Sequence, residues 1–264
     1  MKEQTVLTSA LKTCGGILLH YFRRTDYKLK GKGDLLTQAD LESQRAALEI
    51  ITSAFPEHDY LAEEKSERIT GSRHLWVMDP LDGTTNYAHG LPTACVSIAL
   101  LKDGEPVLGG VLDPFRDELF LARKGHGSTL NGGKIRVTKT AKLKDSLLFT
   151  GFPYDRYKRG NFYCGFIEDF LKICHDIRRT GSAALDMSWI AAGRSDGYWE
   201  FVLKPWDVAA GRLLVQEAGG KVTDFSGKPW TAIERYGAET LATNGLIHTE
   251  MLRIIKHRLK TGME

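Results

Sequence analysis

The chain has 264 residues, 42% of them hydrophobic and 26% charged, which is enough to bury a full core and excludes a disordered, collagen-like or low-complexity polypeptide. A net charge of +3 does not argue for nucleic acid and is compatible with a small anionic substrate. There is no signal-peptide pattern and no apolar run of the ~20 residues that a bilayer requires; the four cysteines, Cys14, Cys95, Cys164 and Cys174, form no C-x-x-C pair and read as buried free thiols in a reducing cytoplasm.

Val6, Leu7, Ala10, Leu11, Cys14, Ile17, Leu18 and Tyr21 recur at helical spacing, so residues 3–22 are expected to form an amphipathic helix. The polar, basic stretch from Lys28 to Asp34 reads either as a solvated loop or as a flap over an anionic site. Thr37-Gln38-Ala39-Asp40 opens a second helix that Pro56 ends. Asp40 is either a first-turn acid facing the helix dipole or part of a site. A strand through Tyr60, Leu61 and Ala62 then runs into the acidic pair Glu63-Glu64.

The apolar run 75–78 predicts a short buried strand that stops at Pro80. Asp79-Pro80-Leu81-Asp82-Gly83-Thr84-Thr85-Asn86 follows, placing two carboxylates beside residues that favour helix starts. Such a stretch is common in plain turns. It is also what a hard cation and a phosphate would both need: carboxylate oxygens for the one, free N–H groups for the other. Oxygen-only ligation favours magnesium.

From 94 to 137 four strand-like runs alternate with Gly-, Asp-, Asn- and Pro-rich turns, which specifies an antiparallel meander serving as scaffold. Beyond it, strands are expected at 146–150, 176–179, 196–201, 221–225 and 240–243. Helices are expected within 162–173, from Ser182 to Ala192, from Pro205 to Ala218, and over 246–259. Asp207 sits at a helix start, where the dipole favours an ionised carboxylate ready for a cation; an ordinary capping role explains it equally well. The basic segment 151–159 reads as a solvated loop or as a contact for a second anionic group through Arg156, Lys158 or Arg159. What favours a site is the set Glu63, Asp79, Asp82 and Asp207, each at a strand end or helix start, because such ends can converge on one crevice.

Ala62-Glu63-Glu64, the Trp76–Asn86 segment and Lys204-Pro205-Trp206-Asp207-Val208-Ala209-Ala210-Gly211 closely resemble the signatures of the inositol monophosphatase family, within the magnesium-dependent, lithium-sensitive phosphatases. Asp34-Leu35-Leu36-Thr37-Gln38-Ala39-Asp40, Arg179-Thr180-Gly181-Ser182-Ala183-Ala184 and Glu217-Ala218-Gly219-Gly220 extend the resemblance over essentially the whole chain. Ala62 stands where a glycine is common, and the 151–159 stretch differs from that of animal members.

The resemblance implies a mixed α+β, α/β fold: a layered α-β-α-β-α sandwich of the sugar-phosphatase type, and a homodimer. Residues 1–140 would carry two long helices, the antiparallel sheet and most metal ligands. Residues 141–264 would supply the substrate residues and Asp207, the two parts forming one catalytic unit. Two or three magnesium ions are implied, held by Glu63, Asp79, the Leu81 carbonyl, Asp82 and Asp207. Glu63, Asp40 and Thr84 would be catalytic, the last two orienting and deprotonating water. Asp82, Gly83, Thr84 and Asp207 would meet the phosphate end of the substrate, and Gly181, Ser182, Ala183 and Glu200 the alcohol.

The expected activity is therefore that of a magnesium-dependent phosphoric monoester hydrolase using metal-activated water, with no phosphoenzyme. Inositol 1-phosphate is the leading substrate. Histidinol phosphate, fructose 1,6-bisphosphate and 3′-phosphoadenosine 5′-phosphate are alternatives on the same scaffold. A non-catalytic regulator binding RNA or another anion is the alternative of a different class, although nucleic acid is not expected from the charge.

Overall fold

Helix α1 (Lys2–Tyr21) turns Leu7, Ala10, Leu11, Cys14 and Leu18 inward, the spacing of one helical face. The hairpin β1 (Tyr27–Gly31) and β2 (Asp34–Thr37) follows, and then α2 (Gln38–Ala54). This computed structural model describes residues 2–24, 26–31, 34–64 and 66–261. The expected loop at 28–34 is thus a two-stranded ribbon; its Lys32 and Gly33 lie outside the described residues. Alternating small turns and charges hid it, since nothing in them has strand periodicity.

The first sheet comprises β3 (Asp59–Ala62), β4 (Ser66–Arg68), β5 (His74–Asp82), β6 (Cys95–Lys102), β7 (Glu105–Asp113), β8 (Glu118–Arg123), β9 (Gly127–Leu130) and β10 (Gly133–Ile135). Its order is β10-β9-β8-β7-β6-β5-β3-β4. Only the β3–β5 pair is parallel, and the rest forms the expected meander. A short helix α3 (Thr84–Ala88) leaves the end of β5. Two details differ from expectation. β9 was not expected as a strand, and the last strand ends at Ile135, after which the Val137 N–H donates to the Ala218 carbonyl instead of to a strand.

The second sheet contains β11 (Leu147–Thr150), β12 (Asp176–Arg178), β13 (Gly197–Phe201), β14 (Lys221–Thr223) and β15 (Glu239–Thr243), in the order β12-β11-β13-β15-β14. Its helices are α4 (Arg156–Leu171), α5 (Ala183–Ala191), α6 (Pro205–Glu217) and α7 (His248–Thr261). The expectation of a basic loop over 151–159 is corrected here, because Arg156 already starts α4.

Strand alternation sets the layers. On β5, Trp76 and Met78 join the core under α1 and α2, whereas Val77 joins the core under α5 and α6. On β13, Tyr198 faces that same middle layer and Trp199 faces α4 and α7, with Phe166, Phe170 and Met251. Helix pair, sheet, helix pair, sheet, helix pair is the α-β-α-β-α order, and the middle helices α5 and α6 are consequently buried on most sides. Among the described residues no helix is long and apolar enough to cross a membrane. The four cysteines are free, but only Cys14 and Cys95 are buried; Cys164 is exposed and Cys174 half-buried.

Candidate active site

The site begins with an irregularity in β5. Asp79 pairs with Ser97 and Asp82 with Cys95, so Pro80 and Leu81 lie opposite the single residue Val96 in a bulge with one extra residue. The strand was expected to stop at Pro80. It continues because proline has no N–H to donate to a ladder, and a bulge is where none is needed. The Leu81 N–H turns back to Asp79 Oδ1 at 2.9 Å. Gly83 then caps α3 at φ 91°; a Cβ there would also come within 2.8 Å of the Thr93 carbonyl, so two constraints favour glycine.

Thr84 Oγ1 lies 2.9 Å from the Leu81 carbonyl and 3.3 Å from Asp40 Oδ1. Asp40 is held by the start of α2, where its Oδ2 accepts from the Thr37 N–H at 2.7 Å and the Thr37 hydroxyl at 2.6 Å. Both readings of Asp40 therefore hold: it completes a capping box and it reaches Thr84. Burial pushes its carboxyl up to about 7, with the nearby Glu64 and Glu63 charges adding to the shift.

Two further elements, β3 and α6, bring carboxylates to the end of β5, and α5 holds the last residue of β5, Asp82. Glu63 follows β3, with its N–H on the Met78 carbonyl at 3.2 Å. Asp82 Oδ2 accepts from the Ser182 hydroxyl at 2.6 Å and the Ala184 N–H at 2.7 Å, at the start of α5. Asp207 Oδ2 accepts from the Lys204 N–H at 2.7 Å, at the start of α6. Glu63, Asp79, Asp82 and Asp207 line one cavity of about 680 Å³. Leu81, Gly83, Thr84, Gly181, Ser182 and Ala183 line it as well, as does Glu200 from β13. Of the expected catalytic, metal and substrate residues, Asp40 stands back from the wall, behind Thr84.

Burial raises Asp79 well above the ordinary carboxylate range, and the charges of Glu63, Asp82 and Asp207 raise it further. Asp207 is raised in the same way by burial, Asp82 and Glu63. At Asp207 desolvation and like charge thus oppose the pull of the helix start toward the ionised form. Among the described residues, no three acidic, His or Cys side chains are drawn together tightly enough to hold an ion as they stand. The donor set nevertheless fits a hard divalent cation. Asp79 is crowded by the like charges of Glu63, Asp82 and Asp207. A divalent ion relieves the same repulsion through oxygen ligands alone.

The sequence matches the inositol monophosphatase family over residues 2–259. This chain belongs to that family. Among its relatives, the inositol-1-monophosphatase of Synechocystis sp. is 46% identical over 84% of this chain and 77% of that protein. The Nus factor SuhB of Salmonella typhimurium is 40% identical over 84% of this chain and 85% of its own. Among solved structures, the inositol monophosphatase from Anabaena (Nostoc) sp. superposes with a TM-score of 0.87 at 42% identity, covering 97% of each chain. An IMPase/NADP phosphatase complexed with Mg²⁺ and phosphate superposes with a TM-score of 0.83 at 28% identity, over 95% of this chain and 94% of that one.

In this family member the cavity wall also holds Arg156, one of three alternatives named from the sequence, and residues that sequence reasoning missed. Arg179 lines it, its guanidinium over the Phe152 ring at 5.9 Å. Arg156 lines it too, over the Tyr154 ring at 5.8 Å. Lys158 and Arg159, expected as alternatives to Arg156, do not: Lys158 stacks on Tyr157 and Arg159 on Phe162, with Asp155 beside it at 3.8 Å. Lys158, two positions on, points to another side of α4, and at Arg159 the backbone itself leaves the helix (φ −112°, ψ 19°). Asp186, on α5, was also missed; it lines the cavity fully buried and accepts from the Thr180 hydroxyl. An acid inside a helix that starts at a signature turn was the available signal. Glu200 accepts from the Tyr198 hydroxyl, and burial pushes it up to about 7 despite the opposing influence of that bond and of Arg179.

Proposed function

We propose that this family member is a magnesium-dependent phosphomonoesterase whose leading substrate is inositol 1-phosphate. The observation that carries the reading is the convergence of Glu63, Asp79, Asp82 and Asp207 on the cavity that also holds Thr84 and Glu200. In this reading Glu63, Asp79, Asp82, Asp207 and the Leu81 carbonyl hold two or three magnesium ions. Such ions neutralise phosphate charge, acidify water and stabilise the departing alkoxide.

The chain's own residues supply position and proton transfer. The N–H groups of Gly83 and Thr84 meet the phosphate. The Thr84 hydroxyl, fixed by Asp40 Oδ1 and the Leu81 carbonyl, orients the attacking water. Asp40 accepts the proton by way of Thr84, and a carboxyl near 7 suits that task at neutral pH. Asp82 and Asp207 border the phosphate end, and Glu63 adds the carboxylate opposite Asp79. Gly181, Ser182 and Ala183 bound the alcohol, and Glu200 accepts hydrogen bonds from its hydroxyls. A homodimer, sensitivity to lithium and residence in the cytoplasm follow from the same family reading.

Names borne by relatives such as the Nus factor SuhB support a regulatory role beside catalysis. The exposed Tyr154 and Tyr157 with cations over their rings are a surface such a role could use. Phosphate release should be measured with and without Mg²⁺ from inositol 1-phosphate, histidinol phosphate, fructose 1,6-bisphosphate and 3′-phosphoadenosine 5′-phosphate. A magnesium-dependent preference for inositol 1-phosphate is expected. No release from any of them by folded protein would overturn the enzymatic reading and favour the regulator.

A further inference from the structure

Val202 is the one β-branched residue with a positive φ among the described residues, at 61°. Outside glycine, the others are Arg23, Asp103, Asp117 and Asn131. Asp and Asn tolerate this region because their side chains bond locally, whereas a branched Cβ is crowded by its own backbone. Glycine would take the same conformation without strain.

The backbone here has little freedom to relax. Val202 N–H donates to the Ala238 carbonyl at 2.8 Å, and Leu203 N–H donates to the Gly237 carbonyl at 3.0 Å. On one side stands Glu200, at the end of β13, and on the other Pro205 opens α6 toward Asp207. The backbone therefore needs a left-handed residue at 202, but nothing in it needs valine.

Core packing does not call for valine either, because the side chain is 52% exposed. Val202 does line the cavity, sharing its wall with Glu200, Phe201 and Leu203. In the phosphatase reading this is the wall of the alcohol end. A cyclic polyol carries hydroxyls at its rim and C–H groups on its faces. It is matched by an acceptor edge beside an apolar wall, the combination that Glu200 and Val202 form.

Resting on the phosphatase reading above, we propose that Val202 is a specificity-determining residue. Its isopropyl group packs on the C–H face of a cyclic polyol phosphate whose hydroxyls Glu200 accepts, and so favours cyclic esters over short acyclic ones. The strained valine is retained for this contact.

The test compares wild type, Val202→Gly and Val202→Ala in the presence of Mg²⁺, using kcat/KM for inositol 1-phosphate and for glycerol 2-phosphate. Both variants should shrink the cyclic-to-acyclic ratio by roughly three- to tenfold, as expected for lost apolar contact at a half-open wall. The loss should fall mainly in KM. Val202→Gly should hold or raise the melting temperature by a few degrees through relief of strain, whereas Val202→Ala keeps the strained Cβ and should not. If the glycine variant does not fold, the alanine variant decides alone. An unchanged ratio in folded variants, or an equal loss on both substrates, would overturn the proposal while leaving the phosphatase standing. Wild-type protein that releases phosphate from neither ester would overturn both.

Discussion

Asn86 Nδ2 donates to the carbonyls of Thr93 and Thr180, each at 2.8 Å, the second 94 positions away along the chain. One amide thus ties the turn after α3 to the turn before α5, the stretch that carries Arg179, Gly181 and Ser182. Replacing Asn86 by Ala leaves two carbonyls without this donor, which costs about 1–3 kcal/mol of stability. The 179–182 turn should also loosen, so kcat/KM should fall about tenfold or more, with KM rising. Denaturant unfolding and steady-state kinetics measure the two effects. Loss of stability with unchanged KM would confine Asn86 to a structural role.

Asp207 sits among like charges, and removing its charge should have opposite effects with and without metal. Asp207→Asn should leave the fold intact and raise the melting temperature of protein in EDTA, because Asp82 and Glu63 lose a repelling neighbour. It should also diminish the stabilisation that added Mg²⁺ gives and lower magnesium-dependent turnover by orders of magnitude. Thermal melts in EDTA and in Mg²⁺, beside phosphate release, give all three. Near-normal turnover would remove Asp207 from the site.

Gly151 is where the chain passes closest to Glu200: a Cβ at that position would overlap the Glu200 carboxylate. Gly151→Ala must displace that carboxylate while leaving the acidic cluster at β5 in place. KM for inositol 1-phosphate should rise about tenfold, as expected when a buried acceptor no longer meets a hydroxyl. Turnover of p-nitrophenyl phosphate, which offers no hydroxyls to Glu200, should change much less. Equal losses on both substrates would show that the damage is not specific to Glu200.

His248 gives the fold a pH dependence far from the site. Its Nε2 lies 3.0 Å from the Thr223 hydroxyl and its Nδ1 lies 2.9 Å from the Thr243 hydroxyl. Burial, with Lys221 adding, depresses the imidazole to about 4 from its usual 6.5. The unfolded chain therefore takes up this proton near 6.5, whereas the folded chain does so only near 4. Stability must fall as pH drops through that window, by roughly 2–3 kcal/mol at its lower end. Urea titrations from pH 7 to 4.5 should follow this slope, and His248→Gln should flatten it. A slope that is the same in the variant would assign the effect to other groups.

Much of this protein was legible because its signals are local. The face of α1, the Thr37–Asp40 and Ser182 starts, the glycine-closed ends of α5 and the turns of the meander each depend on residues a few positions apart. The Asp79–Asn86 stretch announced itself in the same way, since two carboxylates and a run of helix-start residues need no long-range partner to be recognised. The strand end before Glu63 and the helix start at Asp207 could be named from the same rules.

What the sequence did not determine depends on distance. That Asp82 and Ser182, 100 positions apart, share a hydrogen bond follows from α5 and α6 lying between the two sheets. The raised carboxylates are likewise products of burial and proximity, which a helix-start rule at Asp207 does not contain. Pro80 reads locally as a stop and becomes a bulge only because β6 continues alongside. Arg179 resembles any other surface cation, and Arg156 could not be told from Lys158 and Arg159, until the fold sets both in the cavity wall. Val202 shows no sequence signal at all, because its φ is set by hydrogen bonds to residues 237 and 238. Local spacing determined the helix starts, the turns and the chemistry of each candidate ligand. Packing alone decided which of them share one low-dielectric space, since electrostatic and hydrogen-bond energies depend on separation in space and not along the chain.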